Sequence, residues 1–134
     1  MSDPSLSLDE LRQLARNILV AHNTSDTNAT QVAEAITRAE ADGQKGHGAS
    51  RIPSYAAQSR TGKVDGQAEP AVERILDAAL LIDARSGFAY PALNAAIEGL
   101  SDLAPRSGIA AAAIANSHHS GVAGHQVEAL ATKG

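Results

Sequence analysis

The sequence predicts a mixed α/β protein in which helices come first and strands follow. Three observations carry that class. Apolar residues recur at helical spacing behind recognisable caps through roughly the first sixty residues. Two short apolar runs, Val72–Asp77 and Ala79–Asp83, then read as strands. A third run of small apolar residues, Ile109–Ala115, lies between two further helical patterns, giving the strand–helix–strand–helix order of a mixed fold.

Each element has its own justification. Ser7-Leu8-Asp9-Glu10 is a capping box, and Leu8, Leu11, Leu14, Ala15, Ile18 and Leu19 continue it as a helix to about Ala21. The polar stretch Asn23–Asn28 is a loop that supplies caps for a second helix. Ala29, Val32, Ala33, Ile36 and Ala39 form its stripe, and Gly43 ends it. After Gly46-His47-Gly48, the segment Arg51-Ile52-Pro53 opens a third helix, because proline suits a first turn, and Gly62 closes it. Lys63–Ala71 is a polar connector. A fourth helix is expected from Tyr90 to Leu103, with Leu93, Ala96, Ile97 and Leu100 inward and with Pro105 and Gly108 stopping it. Ile109–Ala115 reads as a buried strand. It feeds Asn116-Ser117-His118-His119-Ser120-Gly121 and a helix from Val122 to Lys133.

Composition narrows the function. The 134 residues carry a net charge of −4 and no Lys/Arg-rich run, so nothing marks a nucleic-acid or anionic-membrane surface. Aromatics make up only 2%, which removes base-stacking platforms and leaves an Ala/Val/Ile/Leu core, thin unless a partner surface completes it. The absence of cysteine excludes disulfides, thiolate metal sites and cysteine nucleophiles. The start, Met1-Ser2-Asp3-Pro4, shows no secretory signal, and Ile109–Ala115 is too short to span a bilayer. A cytoplasmic location is expected.

Two segments could carry chemistry. In His47-Gly48-Ala49-Ser50-Arg51, a histidine and an arginine four apart at a helix start would share a face. Arginine offers a planar fork for a carboxylate, and histidine exchanges a proton near neutral pH. The plainer reading is a glycine-rich turn with a solvated arginine. In Ser117-His118-His119-Ser120-Gly121, an imidazole on a loop leaving a strand could act as general acid or base. The plainer reading there is a turn with His118 exposed and His119 bonded to the backbone. A metal held by His118, His119 and His125 is a poor prospect, since adjacent histidines on a turn diverge and no carboxylate is suitably spaced. Gly121-x-x-Gly124 lacks the full dinucleotide fingerprint. Glu40 and Asp42 read as solvated caps at a helix end.

Ala39-Glu40-Ala41-Asp42-Gly43, His47-Gly48-Ala49-Ser50-Arg51-Ile52-Pro53-Ser54-Tyr55, Gly62-Lys63-Val64 and the stretch from Gly108 to Gly121 resemble the malate/L-lactate dehydrogenase family of non-Rossmann type, in order and in spacing. The resemblance implies a helical substrate-side segment over residues 1–66, followed by the start of a non-Rossmann α/β cofactor domain over residues 67–134. It implies an NAD(P)-dependent oxidoreductase that interconverts a small 2-hydroxy acid with a 2-oxo or imino acid. His119 would be the acid/base and share catalysis with His47, while His47 and Arg51 would hold the small carboxylate substrate. Ser117 and Gly121 would touch NAD or NADP, which residues outside this chain mainly hold.

Members of that family continue well past Gly134, so the chain is expected to be a fragment or one part of a nicked protein, with a second chain carrying the remainder as its partner; a homo-oligomer is also expected. An alternative is self-cleavage after Gly134, exposing an N-terminal Thr, Ser or Cys nucleophile on that second chain. The scaffold would then be a hydrolase of amides or imides, with no nicotinamide cofactor.

Overall fold

A computed structural model describes residues 5–134; the acidic start Met1–Pro4 lies outside them. The chain is mixed α/β and divides between Gly66 and Gln67 into two compact units.

The first unit is helical. α1 (Leu8–Ala21) begins at the expected capping box: Ser7 Oγ accepts from Glu10 N at 3.2 Å, and the Glu10 carboxylate accepts from Ser7 N at 2.8 Å. That backbone bond, helped by the Ser7 hydroxyl, holds the Glu10 carboxyl below its ordinary value. α2 (Asp26–Ala41) starts at Ser25, whose hydroxyl accepts from Asn28 N. Helical spacing sets Leu11, Ala15 and Leu19 against Ala29, Val32, Ala33 and Ile36, nearly all of them shut off from solvent. α3 (Ile52–Arg60) adds Tyr55, which is 1% exposed. Burying each large aliphatic side chain is worth about 1.5–3 kcal/mol, so Leu19, Val32 and Ile36 dominate this core. Its few buried polar groups are satisfied: the Thr24 and Ser59 hydroxyls meet at 2.9 Å, and Asn28 Nδ2 donates to Gly66 O at 3.0 Å.

The second unit is a three-stranded sheet with helices. β1 (Ala71–Leu76) and β2 (Ala79–Asp83) form an antiparallel pair, Ala71 opposite Asp83, with the register shifting between Arg74 and Leu76. α4 (Ala89–Ser107) carries the chain to β3 (Ala111–Ala115), which runs parallel to β2 with Leu81 opposite Ala113. The strand order is β1-β2-β3, and α5 (Ala123–Ala131) follows. Ile82, Ala84, Ala92 and Ala96 make the core, with Ala95, Ala112 and Ile114 packed against it.

Three expectations change here. α4 does not stop at Leu103 but runs through Pro105 to Gly108, whose φ is +79°. Proline so near the end removes only the bond to the Ser101 carbonyl, while Gly108 N still reaches Ala104 O. The shielded stripe of α4 is Ala92, Ala96 and Leu103, with Leu93, Ile97 and Leu100 half-buried, because small residues let the helix settle closely on the sheet. And β3 is not a buried strand: Ala111 and Ala113 are exposed and Ile109 is 79% exposed, since among the described residues only one face of the sheet is covered.

Candidate functional site

The first candidate segment follows α2 directly. After Gly43 the chain makes two 3₁₀ turns, Lys45–His47 and Ala49–Arg51, joined by Gly48. His47 closes one turn and Arg51 the other, so the two do not lie on a single α-helix, and the shared face expected from their spacing does not arise that way. Gly48 breaks the helix with φ −91° and ψ −140°. What fixes the geometry is a carboxylate: Glu40 Oε2 accepts from Ala49 N at 2.9 Å. A Cβ on Gly48 would collide with that oxygen, so only glycine admits Glu40 to the turn. Ser50 Oγ donates to Lys45 O at 2.7 Å, and Arg51 Nε donates to Gly46 O at 2.6 Å. Arg51 therefore spends one donor on the turn and keeps its Nη fork. Among the described residues it has no carboxylate partner. His47 and Arg51 are both half-buried.

The second segment, Asn116–Gly121, leaves the end of β3. His118 is half-buried and anchored rather than exposed as the plainer reading expects. Its backbone N–H donates to Gly87 O at 3.2 Å, and its ring meets Phe88 edge-on, centroids 5.7 Å apart at 87°. His119 is exposed. Ser117 is also exposed, its Oγ donating to His118 O at 2.9 Å. With Ser120 and His118 it rims a concavity of about 310 Å³ floored by Ala89, Leu93 and Ile114. Gly121, at φ +70°, sits where a Cβ would come within 2.7 Å of the Tyr90 hydroxyl. The structure thus gathers Ser117, His119 and Gly121 on one loop of the second unit, and His47 and Arg51 on two successive 3₁₀ turns of the first. Among the described residues no three His, Asp or Glu side chains are grouped to hold a metal ion, and no helix is long and apolar enough to cross a membrane.

A profile of the malate/L-lactate dehydrogenase family matches residues 6–134. The chain belongs to that family. It is 43% identical over 129 residues to the (2R)-3-sulfolactate dehydrogenase (NADP(+)) of Chromohalobacter salexigens, covering 96% of this chain and 38% of that protein. It is 42% identical over 130 residues to the Delta(1)-pyrroline-2-carboxylate/Delta(1)-piperideine-2-carboxylate reductase of Pseudomonas syringae pv. tomato, covering 97% and 38%. The crystal structure of the Δ1-piperideine-2-carboxylate reductase from that organism superposes with a TM-score of 0.92 at 41% identity, over 98% of this chain and 40% of that one. The malate dehydrogenase of Entamoeba histolytica shares the fold alone, with a TM-score of 0.91 at 22% identity, over 99% and 37%. The chain spans about two-fifths of the length of these relatives.

Two supporting residues escaped the sequence reading. Glu40 is a cap as expected, but for Ala49 nine residues on rather than for solvent; the glycine opposite it was the available signal. The sequence gives Asp83 no role beyond ending the run Ala79–Asp83. Its Oδ1 accepts from Arg85 N at 2.8 Å, an Asx turn that an Asp at a strand end can announce.

Proposed function

We propose that this member of the malate/L-lactate dehydrogenase family supplies the substrate-holding and proton-transfer groups of an NAD(P)-dependent oxidoreductase acting on a small 2-hydroxy acid and its 2-oxo or imino counterpart. The observation that carries the proposal is Arg51: a guanidinium tied to the backbone at Nε, with no acid of its own among the described residues. Sulfolactate and pyrroline-2-carboxylate, named for the relatives, both bear a carboxylate beside the carbon that changes oxidation state. A planar fork fixed at one end is suited to that group.

In this reading Arg51 binds the carboxylate and His47 hydrogen-bonds the reacting oxygen or nitrogen. His119, as the imidazolium, gives its proton to that atom when C2 is reduced, and takes it back in the oxidative direction. Its exposure leaves it able to recover a proton from solvent. The concavity at the second loop suits a flat ring bearing an amide, with an apolar floor and the Ser117 and Ser120 hydroxyls at its rim. Ser117, and Gly121 at the loop's end, are the cofactor contacts this chain would provide. When bound, the reduced nicotinamide supplies the hydride that reaches C2.

The test is turnover by the full-length protein with 2-oxo and cyclic imino acids and either nicotinamide. His119→Ala is expected to lower kcat by about 10²–10⁴-fold. Arg51→Ala is expected to act chiefly through KM for carboxylate substrates, with both variants folded by circular dichroism. Wild-type kinetics in either one removes that residue from the site.

A further inference from the structure

The strand end that precedes α4 and the histidine loop that follows β3 are held together more firmly than a loop closure requires. Asp83, the last residue of β2, uses Oδ1 twice: it accepts from Asn116 Nδ2 at 3.0 Å and from Arg85 N at 2.8 Å. Around this carboxylate the backbones are stitched: Ala84 N donates to Ala115 O at 2.9 Å, Ser86 N to Asn116 O at 2.8 Å and His118 N to Gly87 O at 3.2 Å. The conformation so held is one the chain would not keep unaided. Arg85 (φ 53°), Ser86 (φ 60°) and Asn116 (φ 52°) all lie in the left-handed region, where residues other than glycine and asparagine are uncommon. Two of the three are neither.

We infer that Asp83, through Asn116, is a positioning residue that fixes the Asn116–Gly121 loop and thereby the place from which His119 exchanges its proton; the inference rests on the oxidoreductase reading above. Both hydrogen bonds of Asp83 go to the strand end and to the loop, and none to a histidine among the described residues, so it acts on His119 through the loop. The Asn116 amide first, and the Arg85 N–H next, hold its carboxyl below the ordinary carboxylate value, so the latch is an anion at neutral pH. The far end of the loop is set separately, by Gly121 closing on the buried Tyr90. A loop fastened at both ends keeps an exposed side chain in register without burying it.

The experiment uses the full-length protein with three substitutions: Asp83→Ala, Asp83→Asn and Asn116→Gly. Asn116→Gly removes the amide while leaving the left-handed backbone easy to adopt. Asp83→Asn retains an acceptor oxygen for both bonds. Small displacements of a reacting group can cost on the order of a hundredfold in rate. Asp83→Ala and Asn116→Gly are therefore expected to lower kcat by about 10–100-fold, with KM for the oxo acid within about threefold, because the carboxylate is held elsewhere. Asp83→Asn is expected to recover most of the rate. Wild-type kcat in Asp83→Ala and Asn116→Gly, or a loss confined to KM, overturns the inference while leaving the oxidoreductase reading standing. If the wild type turns over no substrate, that reading is what fails. The latch is then decided by amide hydrogen exchange across residues 116–121: faster exchange in Asp83→Ala and Asn116→Gly upholds it, and unchanged exchange overturns it.

Discussion

The two units solve the same local problem on opposite kinds of foundation. The first closes its core on itself, with Leu19, Val32 and Ile36 fully enclosed by three helices. The second covers one face of its sheet and leaves Leu81, Ala111 and Ala113 on the other exposed. Yet each presents a histidine-bearing segment braced by a carboxylate from the end of a helix or strand of its own unit. Glu40 at the end of α2 accepts from Ala49 N, and Asp83 at the end of β2 accepts from Asn116 Nδ2. The lesson is that the geometry of the candidate site depends on local polar bonds more than on how much apolar surface lies beneath it.

That comparison can be broken at several points. The largest effect on stability is expected from Leu19→Ala in the enclosed core, a loss of about 3 kcal/mol in chemical denaturation. A much smaller loss would mean the first unit is less tightly built than its burial indicates. Glu40→Ala should raise KM for carboxylate substrates by about tenfold with little change in melting temperature, because it frees the turn that carries Arg51. An effect on kcat alone would instead place Glu40 in the chemistry. Protonating the Asp83 latch gives a smaller effect, confined to acid. Its folded-state pKa lies below the ordinary value of 3.8, so its contribution is present above that value and is lost as pH falls through the lower, folded one. Exchange in the histidine loop should therefore be flat with respect to this group from pH 5 to 8 and rise only below about 3.8. The smallest effect is expected at the open face. Leu81→Thr should change stability by under about 0.5 kcal/mol, the norm for surface positions. A cost above about 1 kcal/mol would mean that something covers that face in the full-length protein.

Much of the fold was legible because its signals are local. Ser7 with Glu10, Ser25 before α2 and the short apolar run of β2 each state their structure within a few residues. The histidine motifs were legible too, since two imidazole-bearing segments among glycines and serines are conspicuous in an alanine-rich chain. What was not legible depends on neighbours distant in sequence. An alanine run has no burial preference strong enough to distinguish a covered strand from an open one, so Ala111–Ala115 looked interior. Pro105 was read by a rule for helix interiors, although in the last turn it forfeits a single bond. The four-residue spacing of His47 and Arg51 suggested one helical face, but Gly48, admitting Glu40 from nine residues away, divides the segment into two turns. Asp83 and Asn116 are 33 residues apart, and neither hints at the other.

The open side of the second unit has a practical meaning. β3 lies at the edge of the sheet, and among the described residues no strand lies beyond it. Proteins usually blunt such edges with lysine, proline or a bulge. Ala111–Ala115 has none of these, and the exposed Ile109 precedes it. The strand therefore shows a row of backbone donors and acceptors, flanked by small apolar side chains, to whatever chain comes near. For anyone producing these 134 residues by themselves, that edge, more than the helical core, would set the concentration at which the solution stays clear.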